Sequence, residues 1–153
     1  MVKHLENVIK EFPELIVGRA ATPTGDRLFD IQDAKEARQL EEERAMAFHH
    51  TMAQLLFMAA RAQQDIQMAV ALLTTRVKAP DKDNWGKLKQ VLHYLNRTKG
   101  LKLRISVNNL SILKWFVDGS HNVHWDCKGH AGAMFTLGEG AVSSYSRKSK
   151  LNT

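Results

Sequence analysis

Asp118 is the residue with the most chemistry to offer. It follows an apolar run, Ile112, Leu113, Trp115, Phe116 and Val117, that reads as a strand, and Gly119 and Ser120 come next. A carboxylate at a strand end can bind a divalent metal. Mg²⁺, however, takes oxygen ligands in number, so carboxylates from separate elements must converge on it. Beyond Asp118 the remaining acids are Asp126 and Glu139. One carboxylate cannot hold two divalent ions against their mutual repulsion, so a two-metal hydrolytic centre would be incomplete on these residues. The plainer reading of Asp118 is a turn residue, because Asp-Gly is a common turn pair.

A second group is His121, His124, Cys127 and His130, each three residues from the last. These are zinc-type ligands. Structural zinc sites usually join two close ligands to two distant ones so that the chain wraps the ion. Four ligands at successive intervals of three suit that poorly, and His130 should enter a strand. We read them as polar residues of a loop. Ser143, Ser144 and Ser146 stand near these histidines, yet nothing places a nucleophile on a sharp strand-to-helix elbow. Cys127 is the single cysteine, so an internal disulfide is excluded.

The third candidate is a surface. Residues 1–80 carry ten Lys/Arg against eleven Asp/Glu, and residues 81–153 carry twelve against five. The balances, −1 and +7, give the net +6. A basic half suits a polyanionic partner, since Lys and Arg neutralise phosphates and release counterions; the bland alternative is a solvated Lys-rich face. Arg97, Lys99, Lys148 and Lys150 are the best candidates for backbone contacts. Trp85, Trp115 and Trp125 read as packing residues rather than base-stacking platforms.

The elements that would position these residues follow from periodicity. Leu5, Val8 and Ile9 predict a helix over 2–11, ended by Phe12-Pro13 because a residue before proline avoids helical backbone. Residues 18–30 read as loop and the charged stretch 33–45 as at most an exposed helix. The N-terminal third should therefore be the least ordered part. Residues 48–77 read as helical, with a break near Ala62-Gln63-Gln64 and Asp65 capping the second part. Trp85, Leu88, Val91, Leu92 and Leu95 form the stripe of a helix over 82–98 that starts at Pro80-Asp81 and stops at Gly100. After Gly100 the period becomes two: Leu101, Leu103, Ile105 and Val107 predict a strand, and Asn108-Asn109 a turn. A strand over 111–117 and a hairpin of 131–137 and 141–146 around Gly138-Glu139-Gly140 complete the chain. Helices first and antiparallel strands after define an α+β fold. No apolar run is long enough for a membrane span. The N-terminus lacks the apolar core of a signal peptide, so we expect an intracellular protein, cytoplasmic or nuclear.

From Phe48 onward the chain resembles the reverse transcriptase–ribonuclease H region of copia-type LTR retrotransposon polyproteins. Four segments carry the resemblance: Phe48 to Ala59 with Asp65-Ile66 and Ala69-Val70; Asp83 to Leu95, similar to the family's H-W-x-x-L-K-R-x-L-R-Y-L helix; Phe116-Val117-Asp118-Gly119-Ser120; and Lys128 to Ala133 with Leu137 to Ser144, similar to its S-x-S-G-x-x-x-x-L-G-x-x-x-I-S-W. The resemblance implies that 48–100 is the helical segment after the polymerase palm. It implies that 101–153 opens a ribonuclease H-like domain, with 1–47 a less defined segment ahead of both. It makes Asp118 the first ligand of a Mg²⁺ site, vestigial here. By the same resemblance the polymerase Asp-Asp motif is expected upstream of Met1, and the next catalytic Glu beyond Thr153. Gln63-Gln64 stand where the family usually has Arg-Pro. The implied function is a polyprotein fragment that is inactive alone, binds no Mg²⁺ tightly and contacts RNA–DNA duplexes weakly. The alternative is a small basic nucleic-acid-binding protein derived from such an element. Open sheet edges predict pairing with another chain.

Overall fold

The computed structural model describes residues 1–31 and 37–150. Among them are four α-helices followed by a three-stranded antiparallel sheet, an α+β architecture. Helix α1 spans Val2–Glu11 and buries Leu5 and Val8. Phe12 ends it in extended backbone (φ −64°, ψ 134°), as the following proline requires. Helix α2 spans Glu42–Arg61, starting six residues before the predicted 48. Glu42 and Glu43 occupy its first turn, where carboxylates favour the helix dipole. Part of the charged stretch 33–45 falls on residues 32–36, outside the described residues; 37–41 are not helical.

The predicted break is present. Ala62 leaves helical geometry (φ −148°), a single 3₁₀ turn covers Gln64–Ile66, and α3 runs Gln67–Thr74. Asp65 does not cap a helix. It lies inside the 3₁₀ turn, and its carboxylate accepts a hydrogen bond from the Tyr94 hydroxyl. Helix α4 spans Lys82–Thr98. Its N-cap is Asp81, whose buried carboxylate accepts from the Asn84 N–H at 2.7 Å, so an orphan donor of the first turn is satisfied. Backbone bonds from Leu40 to Pro80 and from Lys82 to Arg38 fix the entry to α4.

These helices share one hydrophobic core, which includes Phe48, Met52, Leu55, Ile66, Leu73, Leu88 and Leu92. The N-terminal third, expected to be loosely held, contributes to it. Leu5, Val8, Phe12, Ile16 and Leu28 are all buried there, and Phe12 stacks on Trp85 with ring centroids 4.8 Å apart. The sequence pattern hides this because Ile16 and Leu28 are single anchors in polar loops with no periodicity to mark them.

The sheet has the order β1-β2-β3, with β1 Lys114–Ser120, β2 His130–Thr136 and β3 Ser143–Lys148. Lys114 pairs with Thr136 and Ser120 with His130; His130 in turn pairs with Lys148. Strand β1 thus lies three residues later than predicted, so Asp118 is inside the strand, opposite Gly132, and is not a turn residue at its end.

The strand predicted for 101–107 is absent among the described residues. That segment crosses the hairpin end with two ladder-like bonds, Ser106 N–H to Glu139 O and Asn108 N–H to Leu137 O, and goes no further. Leu101, Leu103, Ile105 and Val107 remain exposed, since alternation marks two faces but supplies nothing to cover either. The crossing depends on two glycines. Gly140 has φ +71° and a Cβ there would sit 2.0 Å from Arg104 O; at Gly138 it would sit 2.6 Å from Ser106 O. The expected turn at Asn108-Asn109 forms through the Asn109 side chain, which accepts from Ser111 N–H at 2.8 Å.

Candidate functional site

Strand alternation and register place Lys114, Phe116, Asp118 and Ser120 on one face of the sheet, together with His130, Gly132, Met134, Ser144, Ser146 and Lys148. The helix break looks onto this face. Gln64 donates through its amide to Ala141 O at 3.1 Å. Gln67 bridges the two layers, donating to Ala59 O at 3.1 Å and to Ser144 O at 3.2 Å. Between the break and the sheet lies a cleft of about 440 Å³ lined by Gln64, Asp65, Gln67, Phe116, Asp118 and Met134, among others. Two carboxylates therefore share one cleft. Sequence reasoning found Asp118 and missed Asp65, which it read as a helix cap. The available signal was the i, i+3 spacing of Gln64 and Gln67, polar side chains on a segment that is otherwise anchored by apolar ones.

Both carboxylates are engaged. Asp118 Oδ1 accepts from Gly119 N–H at 2.9 Å. Asp65 holds the Tyr94 hydroxyl, and that bond, with burial adding to it, pushes the Tyr94 pKa up to about 12, so the phenol stays a donor. Mg²⁺ in a two-metal centre needs several convergent oxygens on ions about 4 Å apart. Asp118 with a tyrosine-bound Asp65 is too small a donor set for that, and no group of three or more His, Cys, Asp or Glu is arranged around a metal position among the described residues.

Of the four zinc-type residues, two meet. His124 and His130 are buried, and their rings touch through Nε2 and Nδ1 at 3.1 Å, one nitrogen donating to the other. His130 Nε2 lies 2.6 Å from Ser146 Oγ. Phe29 stands edge-on to both rings. Burial holds both histidines below the usual imidazole range, and for His124 the Lys148 charge and His130 act in the same direction. His121 and Cys127 are exposed, Cys127 in left-handed backbone (φ +58°). The loop is therefore pinned by a histidine pair. Spacing in sequence could not show this, because the contact needs the register of β2 and the position of Phe29.

The four basic candidates divide. Arg97, Lys99 and Lys150 are exposed. Lys148 is half-buried and committed, 2.7 Å from Asp126 Oδ1 and 5.6 Å from the centre of the Trp125 ring. The same lysine holds the Asp126 carboxyl below the usual range, with Lys128 adding to the effect. Lys102, Arg104, Lys114 and Arg147 are also exposed, and none of these or of Arg97, Lys99 and Lys150 is in an ion pair among the described residues.

Comparisons with protein-family models, with curated proteins and with solved structures found no match. No helix among the described residues is long and apolar enough to cross a membrane.

Proposed function

We propose that the chain is a piece of a copia-type LTR retrotransposon polyprotein, running from the end of its reverse transcriptase into its ribonuclease H region. We propose further that it binds RNA–DNA duplexes weakly and without sequence preference. The ordered set of resembling segments supports the first part. One observation carries the second: Arg97, Lys99, Lys102, Arg104, Lys114, Arg147 and Lys150, exposed and outside any ion pair among the described residues, outnumber the uncommitted acids of the same half, Asp118 and Glu139. There, Asp81 is consumed as a cap, Asp83 pairs with Lys87 at 2.8 Å, and Asp126 pairs with Lys148. Phosphate contacts of this kind supply affinity and register but no base readout. Hydrolysis is not part of the proposal, because the cleft offers too few carboxylates. The helical core favours a second reading with the same chemistry, a small basic nucleic-acid-binding protein derived from such an element.

The test is anisotropy of a labelled RNA–DNA hybrid titrated with the protein across a salt series. Neutralising about three phosphates would weaken binding roughly 40-fold between 50 and 200 mM salt. The Arg97→Gln/Lys99→Gln variant should lower the magnitude of the salt slope by about two. Affinity that does not respond to salt would refute phosphate contact. Binding by a monodisperse sample would favour the second reading over a fragment that stays soluble only in its polyprotein.

A further inference from the structure

Three side chains on the helix-facing side of the sheet form one row. Ser146 Oγ lies 2.6 Å from His130 Nε2, and His130 Nδ1 lies 3.1 Å from His124 Nε2. Strand register makes the first contact: His130 opposes Lys148, and Ser146 stands two residues before Lys148 on the same face, a diagonal neighbour. The loop makes the second. His124 N–H donates to Lys128 O at 3.1 Å and Cys127 N–H to His124 O at 2.9 Å, which turns the His124 ring back toward β2. Two proton arrangements satisfy the row. In one, the Ser146 hydroxyl donates to His130 Nε2, and His130 Nδ1–H donates to His124 Nε2. A hydroxyl, a base and a group that orients the base then stand within reach of one another, the constellation that activates a serine. Burial holds both imidazoles below their usual range, so at neutral pH His130 is free to accept a proton. Ser146 also borders a cleft of about 310 Å³ between β3 and helices α2 and α3, with Leu56, Ala59, Val70 and Ala71 among its walls. Ser144 lines the same cleft; its Oγ is buried and has no hydrogen-bond partner among the described residues, which leaves a donor for a carbonyl oxygen.

We propose that Ser146 is an acyl-accepting nucleophile, with His130 as its general base and His124 as the residue that positions His130, acting on esters of short apolar carboxylic acids. As Ser146 Oγ bonds to the ester carbonyl carbon, its proton passes to His130 Nε2 and the carbonyl electron pair moves onto oxygen. Collapse restores the carbonyl and breaks the bond to the leaving oxygen, which takes the proton from His130. Water then repeats both steps on the acyl-serine and releases the acid, and it is the only co-reactant. The apolar walls and the volume of the cleft set the acyl class. The site draws on β2, β3, α2, α3 and one loop of this chain and needs no free strand edge.

Active-site labelling tests it. The full chain is treated with a fluorophosphonate and, separately, with p-nitrophenyl butyrate, and the adducts are mapped by peptide mass. Both should modify Ser146, and p-nitrophenol should appear in a burst of about one equivalent per chain. Ser146→Ala should abolish the adduct and the burst, whereas Ser143→Ala, at an exposed serine on the other face of β3, should change neither. His130→Gln should slow acylation by about a hundredfold or more. His124→Phe keeps a ring but offers no acceptor and should slow it by about tenfold or more. His124→Gln returns an acceptor oxygen and should recover the rate to within about fivefold. Far-UV circular dichroism of each variant confirms the fold. No adduct at Ser146 would overturn the proposal, and so would equal labelling of the urea-unfolded chain, which would make the reactivity generic. Equal losses in His124→Phe and His124→Gln would reduce His124 to packing and overturn its positioning role.

Discussion

The helices and the sheet are held by different physics. The helical part is one apolar core in which Phe48, Leu55, Ile66, Leu73, Leu88, Leu92 and Leu95 lose all contact with solvent. The sheet contributes none of its residues to that core. Its buried members include Ala133, His130 and Thr136, and β1 buries nothing. What ties it to the helices is a short set of contacts: the Gln64 and Gln67 amides, Phe29 against the histidine pair, and β3 lying on α3. A helix can bury a stripe against its neighbours within 100 residues of chain. A sheet of three strands has two faces, and among the described residues no helix covers the one that carries Trp115, Val117, Phe135 and Tyr145. Trp115 and Phe135 cover each other, stacked at 5.0 Å.

The contrast is open to direct attack by truncating one residue on each side. Leu92→Ala removes a fully buried side chain of α4 and should cost about 2–5 kcal/mol in urea unfolding, since the cavity cannot fully collapse. Val117→Ala on β1 should stay within about 0.5 kcal/mol. Equal costs would mean that the sheet carries a hidden share of the core energy.

Acidification probes the seam between the two regions, with a smaller effect. His124 and His130 have folded-state pKa values lowered by burial, beside Lys148 and the opposing charge of Asp126. A depressed histidine pKa means that the unfolded chain binds protons first as pH falls. Stability is therefore full above the ordinary imidazole value, about 6.5, and declines as pH drops from there toward the folded values. Doubly protonated rings also cannot keep the 3.1 Å contact, because each nitrogen would then be a donor. Urea midpoints at about pH 7.5 and about pH 5.5 should differ in that direction, and His124→Gln/His130→Gln should flatten the difference. A midpoint that does not change with pH would show that the pair is not what pins the loop.

Much of the helical half is legible in the sequence because its physics is local. The stripe Trp85–Leu95 has a 3.6 period, Asp81 stands where a cap should, and the break at Ala62-Gln63-Gln64 interrupts an apolar run. The same reasoning misplaces what depends on partners distant in sequence. Leu101 to Val107 alternate as a strand would, yet they meet only the tip of a hairpin. Asp65 looks like a cap until Tyr94, on another helix, is seen to hold it. Ile16 and Leu28 carry no pattern at all and still anchor the N-terminal third. Of the candidate cleft, Asp118 was readable from its strand and Asp65 was not, because a 3₁₀ turn opposite a sheet has no sequence period of its own.

Native-state hydrogen exchange tests most directly whether the sheet is a docked addition to an autonomous helical core. Amides of α2 and α4 should exchange only through global unfolding, while those of β1 and β2 exchange through a lower-energy opening that leaves the helices protected. Gln67→Ala, which removes both bridging bonds, should lower sheet protection by about 1–3 kcal/mol and leave α4 unchanged. A single opening energy shared by β1, β2 and α4, moved equally by Gln67→Ala, would contradict the account.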